Sequence, residues 1–451
     1  MIIAFLGIIL ALSLLITLAY RGHSVVVAAP IAALVAVIFS GAPLMVSYFP
    51  LFLTGAIFGQ LMVVSGFAEN IARFIASVFG KNQAILVTVV ITSLLTYGGV
   101  SVWVIAFTIV PIAREMFRQS DVSLRLLPAT SVLGSFTYAM AGLPGTPQVH
   151  NAIPTPYFGT TTFAAPVLSL IACAVTFALG YGWLRYRQSS LAGRGLGFAE
   201  LGGAAARHGD TEVIAETKGV QWKDAIGLLP IVVMVAINAL YTYVIGPRLD
   251  TSYLAEEKFG STDITSVIGV WSVTIALVIA CLMVFALKPG SARKFVEAIS
   301  EGARKSVLPV FTTGSEVGFG AVVASLAVFA AFQDSLFNIS NNPLIVGAVA
   351  TAVIAGITGS ASGGMSITLQ AFGDQLATMA VDQGISAELM HRVVAMASVF
   401  ADALPHNGAV VTLLLVCGLT HRQGYKDVAV VSIVVALIGV AVLVGLSLIF
   451  T

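Results

Sequence analysis

Three ionisable residues stand inside or beside long apolar runs: Glu316, Asp402 and His406. Hydrocarbon penalises a charge so heavily that an ionisable group placed there is functional by default. Glu316 falls about seven residues into an apolar run that begins near residue 309. A carboxyl desolvated in such a run has its pKa raised towards neutrality and can take up and release a proton. The bland alternative is a structural acid satisfied by neighbouring hydroxyls. His406 can titrate with little shift, or donate a hydrogen bond to a carboxylate. Asp402 and His406 flank the stretch Ala403-Leu404-Pro405-His406-Asn407-Gly408, and a similar stretch runs Gly142-Leu143-Pro144-Gly145-Thr146-Pro147. Both interrupt apolar runs with Pro, Gly and small polar residues, and in hydrocarbon such breaks survive only where protein or a wet cavity supplies hydrogen-bond partners. His150, further past its break, reads as a vestibule or structural residue.

The rest of the chain states the medium. Of 451 residues, 58% are hydrophobic and 10% charged, with a mean hydropathy of +0.99, where soluble domains carry about 25% charged residues. An all-α polytopic membrane protein follows. The net charge of +1 gives no reason to expect a nucleic-acid partner. Cys173, Cys281 and Cys417 lie far apart in apolar runs, so no disulfide, metal site or other cofactor is expected. Residues 1–20 lack the basic start and small-residue cleavage site of a signal peptide and are taken as a first membrane helix. The chain contains no His-Glu-x-x-His, Gly-x-Ser-x-Gly or Walker loop, and no filter-like repeat, which argues against an intramembrane enzyme, a primary pump and a channel.

Apolar runs of about 20 residues place spans near 2–20, 24–40, 49–66, 163–184, 225–245, 264–286, 309–331 and 427–449. Paired segments at 84–97 with 100–116 and at 343–361 with 365–380, and broken spans at 126–158 and 388–420, complete the pattern. The polar stretch 185–223 reads as a cytoplasmic loop between two bundles, a first membrane repeat over 1–184 and a second over 224–451. Three matches support duplication. Thr54-Gly55 with Gly59 pairs with Thr313-Gly314 and Gly318, Gly98-Gly99 with Gly363-Gly364, and Leu143-Pro144 with Leu404-Pro405, at offsets of 259, 265 and 261. The counterpart of Glu316 is the apolar Ala56 or Ile57, so the acid is not part of the repeated scaffold.

Lys and Arg distribution becomes consistent only if both paired segments are re-entrant hairpins, entering from opposite sides with Gly98-Gly99 and Gly363-Gly364 at their tips. Each half then crosses the membrane five times, the repeats are inverted, and both termini lie outside. Inverted repeats with discontinuous helices hold substrate near the midplane, where half-helix N-termini face anionic groups. Isolated Gly pairs are usually close-packing points between helices, but these are flanked by Thr96, Ser101, Ser360, Ser362 and Ser366. The expected binding set is Gly98, Gly99, Ser101, Gly145, Thr146, Ser360, Ser362, Gly363, Gly364, Ser366, His406 and Asn407, with Glu316, Asp402 or His406 coupling a proton. No Arg or Lys is expected among the donors, so backbone N–H groups, hydroxyls and the Asn407 amide must supply them.

The stretches Thr-Tyr-Gly-Gly-Val-Ser at 96–101, Leu-Pro-Gly-Thr-Pro-Gln at 143–148, Gly-Ser-Ala-Ser-Gly-Gly-Met-Ser at 359–366 and Ala-Asp-Ala-Leu-Pro-His-Asn-Gly at 401–408 resemble the gluconate permease (GntP) family of proton symporters. The resemblance covers essentially the whole chain. It implies an ion-transporter-superfamily fold, an elevator mechanism, a homodimer in the bacterial inner membrane, and uptake of a small hydroxylated carboxylate with protons. The opening Ala19-Tyr20-Arg21-Gly22-His23-Ser24 looks more like the 3-hydroxybutyrate branch than the sugar-acid branch. A gluconate-specific permease and a sodium-coupled carboxylate transporter are the alternatives.

Overall fold

The computed structural model describes residues 43–80, 83–201, 222–257, 261–307 and 335–450. Among them every regular element is helical and none is a strand. The spans expected at 2–20 and 24–40, and the run carrying Thr313, Gly314, Glu316 and Gly318, lie outside the described residues. The α-helices in chain order are α1 Pro43–Val64, α2 Phe67–Phe79, α3 Ala84–Tyr97, α4 Val102–Gln119, α5 Leu127–Ser135, α6 Val149–Ala152, α7 Thr155–Phe158 and α8 Pro166–Ala192. They continue as α9 Leu229–Leu240, α10 Ile264–Leu287, α11 Pro343–Thr358, α12 Ala361–Asp382, α13 Ala387–Asp402, α14 Gly408–Val416, α15 His421–Ala429 and α16 Val435–Phe450.

Four described helical segments are long and apolar enough to span a membrane: Pro166–Ala192, Asp224–Arg248, Ile264–Leu287 and His421–Ile449. A fifth is the bent pair Tyr48–Val64 and Phe67–Phe79, which meet at 65°. The bend falls at Gly66, whose φ of 74° is reached without strain only by glycine. Beyond it α2 buries Phe67, Ala68, Ile71, Ala72 and Ile75 on one face and carries Glu69 and Arg73, ion-paired at 2.6 Å, on the other. That is the pattern of a helix lying along an interface rather than crossing it.

The first paired segment folds as expected, with α3 and α4 joined at Gly98-Gly99 and Gly99 in the left-handed region at φ 84°. The second turns earlier than the sequence reading has it. Its left-handed residue is Gly359, φ 65°, and the Ser360 side chain accepts from the Gly363 N–H to start α12 at Ala361. Gly363 and Gly364 therefore lie within the first turns of α12, not at the tip. Close packing explains Gly364: a Cβ there would stand 2.3 Å from Ala355 Cα on the other arm. Pairing the two left-handed glycines, Gly99 with Gly359, gives an offset of 260, between the 259 and 261 of the other two matches.

Two further boundaries differ. α8 continues to Ala192, past the expected linker start at 185, because its last turns have partners: Arg187 meets Asp427 at 2.7 Å and Trp183 Nε1 donates to the same carboxylate at 3.0 Å. Phe198 N–H donates to Asp121, so the chain after α8 stays docked to the turn before α5. Nor are the halves separate bundles. α1 packs on α10, α5 on α15 and α8 on α16, and one apolar core draws residues from both halves.

The packing of Gly364 gives a sign test. Gly→Ala inside a helix ordinarily stabilises by about 0.8–1 kcal/mol. Gly364→Ala should instead lower the melting temperature in detergent, since overpacking costs roughly 1–3 kcal/mol; a rise would mean the arms are not in contact there.

Candidate binding site at the two helix breaks

In each half, the hairpin turn is docked on that half's helix break. In the first, the Tyr97 hydroxyl donates to Pro144 O at 2.9 Å. Gln148 Nε2 donates to Thr96 O at 2.7 Å and to Val100 O at 3.3 Å. A Cβ on Gly99 would stand 3.0 Å from Pro147 Cγ, so the absent side chain is what lets the turn seat on the break. The break itself is stitched by Gly145 N–H to Thr162 O at 2.9 Å. Ser101 starts α4 with no side-chain cap. Thr96 and Thr146 are fully buried, and neither hydroxyl has a partner among the described residues.

In the second half, Asn407 Nδ2 donates to Gly359 O at 3.0 Å while its Oδ1 accepts from Val410 N–H at 2.8 Å, capping α14. Ala361 N–H, the first of α12, donates to Asp402 Oδ2 at 3.2 Å, and Asn407 Nδ2 reaches the same oxygen at 3.4 Å. His406 Nε2 donates to Gly356 O at 3.1 Å, and its ring lies against Gly359. Ser360 and Ser362 are half-buried and His406 exposed. Ser366 is buried within α12 without a partner for its hydroxyl. Glu316 is outside the described residues.

The expectation that no Arg or Lys serves the interrupted segments is overturned by Arg392. It sits on α13, inside the second broken span, and is completely buried. Its guanidinium reaches across to the first break: Nη1 donates to Ala141 O at 2.6 Å and Asn151 Oδ1 at 2.8 Å. Nη2 donates to Ala164 O at 2.9 Å and Thr162 O at 3.2 Å, and Nε to Ala164 O at 3.3 Å. Among the described residues no carboxylate lies within ion-pair distance of it. Beside it, buried His391 bonds Thr160 Oγ1 at 2.7 Å through Nδ1 and Asn151 Oδ1 at 3.2 Å through Nε2. The amide oxygen can only accept, so Nε2 carries the proton and Nδ1 accepts from the Thr160 hydroxyl. Asn151 Nδ2 donates in turn to Thr146 O at 3.0 Å and Thr162 O at 2.8 Å, and Asn238 Nδ2 to Gly145 O at 3.2 Å. The signal for Arg392 was present in the sequence: a His-Arg pair within a predominantly apolar segment whose interior ends in a break.

The two sites are joined across the halves. The outgoing arm of each hairpin packs on the segment leaving the other half's break, α4 on α14 and α12 on α6. Gly98, Gly99, Ser101, Gly145 and Thr146 thus share one turn-on-break assembly, and Ser360, Asp402, His406 and Asn407 share its counterpart. An open cavity of about 410 Å³ beside the second break is lined by apolar groups of α11, α13 and Ile433, so it offers a hydroxy acid nothing to bind.

Removing any of Arg392's bonds leaves buried carbonyls short of a donor, at about 1–3 kcal/mol each. Arg392→Lys, which keeps the charge but loses the planar fork, should lower thermal stability in detergent by several kcal/mol, and an unchanged melting curve would mean the fork is not formed.

No protein-family model matches this sequence. The chain is 39% identical to the uncharacterised transporter YxjC of Bacillus subtilis (strain 168) over 451 residues, 95% of each protein. Its fold is similar to that of the YdaH transporter of Alcanivorax borkumensis, whose crystal structure is described as having an unusual topology. The TM-score is 0.55 at 16% identity, over 89% of this chain and 85% of that one. With more than a third of its residues shared along nearly the whole of both proteins, the chain belongs to the transporter family that includes YxjC.

Proposed function

We propose that this transporter imports a small hydroxylated monocarboxylate, of the 3-hydroxybutyrate, glycerate or gluconate type, by proton symport. The observation that carries the reading is the pair of hairpin turns each seated on a helix break, because irregular backbone at membrane depth is tolerated where it lines a substrate path. The matched left-handed glycines and the crosswise packing of α4 on α14 and α12 on α6 support inverted repeats around one substrate. The motif resemblance to the gluconate permease family supports the substrate class. Asp402 and His406 supply titratable groups at the second break, and Glu316, outside the described residues, stays a candidate on sequence grounds.

The family resemblance points further to an elevator arrangement in a dimer of the bacterial inner membrane, and the Lys and Arg pattern to periplasmic termini. α10 packs on both α1 and α9, and the helical stretch 292–307 abuts α1, where a Cβ on Gly302 would meet Ile57 Cα at 2.7 Å. The hairpins and breaks pack with α8, α13 and α16, and the first break meets the first group through α7 on α10 and Asn238 on Gly145 O, so in an elevator that contact is the sliding surface.

Reconstituted vesicles test the reading. An imposed inward proton gradient should drive accumulation of labelled 3-hydroxybutyrate, glycerate or gluconate, an uncoupler should collapse it, and unlabelled short hydroxy acids should compete. Accumulation that follows sodium alone would transfer the coupling to sodium; no accumulation of any of the three would reject the substrate class.

A further inference from the structure

The two turn-on-break assemblies have the same backbone plan and opposite electrostatics. Both charges ride on α13. Arg392 and Asp402 are ten residues apart on that helix, roughly 15 Å at 1.5 Å per residue. The Arg392 end is embedded in the first break, where its charge is met by three carbonyls and an amide oxygen and by no carboxylate among the described residues. Neutral acceptors satisfy its N–H groups, and Glu388, one turn earlier on α13 and bonded to Ala165 N–H, acts on the guanidinium without forming an ion pair; in a low-dielectric interior a charge offset only from that distance still acts strongly on whatever lies nearby. One side chain away, through Asn151, is Thr146, with a buried hydroxyl that has no partner. Thr96, on the turn docked against this break, is in the same condition. The Asp402 end is the reverse. Its carboxylate already takes the first N–H of α12, the half-helix start where a bound anion would otherwise sit, and it stands at the C-terminal end of its own helix, where the dipole disfavours negative charge.

We propose that the breaks divide the work: the first receives the substrate carboxylate, at the orphaned Thr146 and Thr96 hydroxyls in the field of Arg392, and the second holds the coupling proton on Asp402. One guanidinium in this field suits one carboxylate, so monocarboxylates are favoured over dicarboxylates. Among the described residues, the other titratable side chains facing the second break are His406, on Gly356 O, His421, on Pro405 O, and Tyr425, whose hydroxyl donates to Ala403 O. Each of these contacts a backbone carbonyl, which leaves Asp402 as the acid seated on the hairpin turn. Protonating Asp402 frees the Ala361 N–H and loosens Gly359–Ala361 from the break, the movement a symporter requires of its second hairpin.

This division rests on the hydroxy-acid symport reading, and the experiment separates the two. The probes are labelled 3-hydroxybutyrate, glycerate and gluconate in vesicles. Wild-type vesicles that take up none of them defeat the symport reading itself. Where wild type transports, two nearly isosteric variants test the division, and Arg392 is left alone because losing it strips several buried carbonyls. Thr146→Val removes a hydroxyl with no hydrogen bond among the described residues, so the melting temperature should hold or rise. Half-saturation should weaken ten- to hundredfold, the range for one hydrogen bond to a charged group, with the pH profile unchanged. Asp402→Asn should keep half-saturation for exchange within a few-fold and make it independent of pH, while uphill accumulation is lost. Succinate should compete at least tenfold more weakly than the monocarboxylates. The division is overturned if Thr146→Val binds as wild type does, or if Asp402→Asn abolishes exchange or retains proton-driven accumulation.

Discussion

A backbone amide or carbonyl without a partner in a membrane interior costs several kcal/mol, and the arrangement of this protein follows from how that cost is met at its two helix breaks. At the first, carbonyls freed by the π-turn at Tyr138–Gly142 and the loop to α8 are collected by Asn151 within the loop and by Arg392 and Asn238 from elsewhere. At the second, the freed groups are met locally by Asp402 and Asn407. α13 belongs to both solutions. Its first turns hold the 141–165 region through Arg392, His391 and Glu388, whose carboxylate accepts from Ala165 N–H at 2.9 Å, and its last residue caps the second hairpin.

The glycines at the turns answer a different requirement. Gly99 and Gly359 take left-handed backbone and let a turn approach a break more closely than a side chain would permit. Gly364 and Gly302 have ordinary helical backbone and instead set how near two helices can come. Position in the fold, not residue type, separates a glycine that shapes a site from one that packs a wall.

That distinction marks what the sequence alone could convey. Hydropathy over whole segments showed the class, the spans near 163–184 and 264–286, both breaks and the first hairpin, since each is a local pattern with a local cause. The second tip was read four residues late because Gly363-Gly364 mimics Gly98-Gly99 in composition, while the choice of turn depends on Ser360 capping α12 and on Ala355 facing Gly364. The linker start was misplaced because the bonds that extend α8 come from Asp427, more than 200 positions away. Arg392 escaped notice although its His-Arg pair stands inside the second broken span, because the partners that bury it lie 228 to 251 residues distant. Asp402 and Asn407 were legible because their partners sit at the neighbouring break.

The central claim is that the turn of each hairpin and the break beneath it face one substrate. Thiol labelling measures this directly, using single cysteines placed at Ser101 and at Ser362 after Cys173, Cys281 and Cys417 are replaced. The account predicts that saturating substrate slows modification at both positions, although they lie 261 residues apart in sequence, and leaves a cysteine at exposed Gly290 unaffected. Unchanged labelling at both positions in vesicles that transport the same substrate would contradict it.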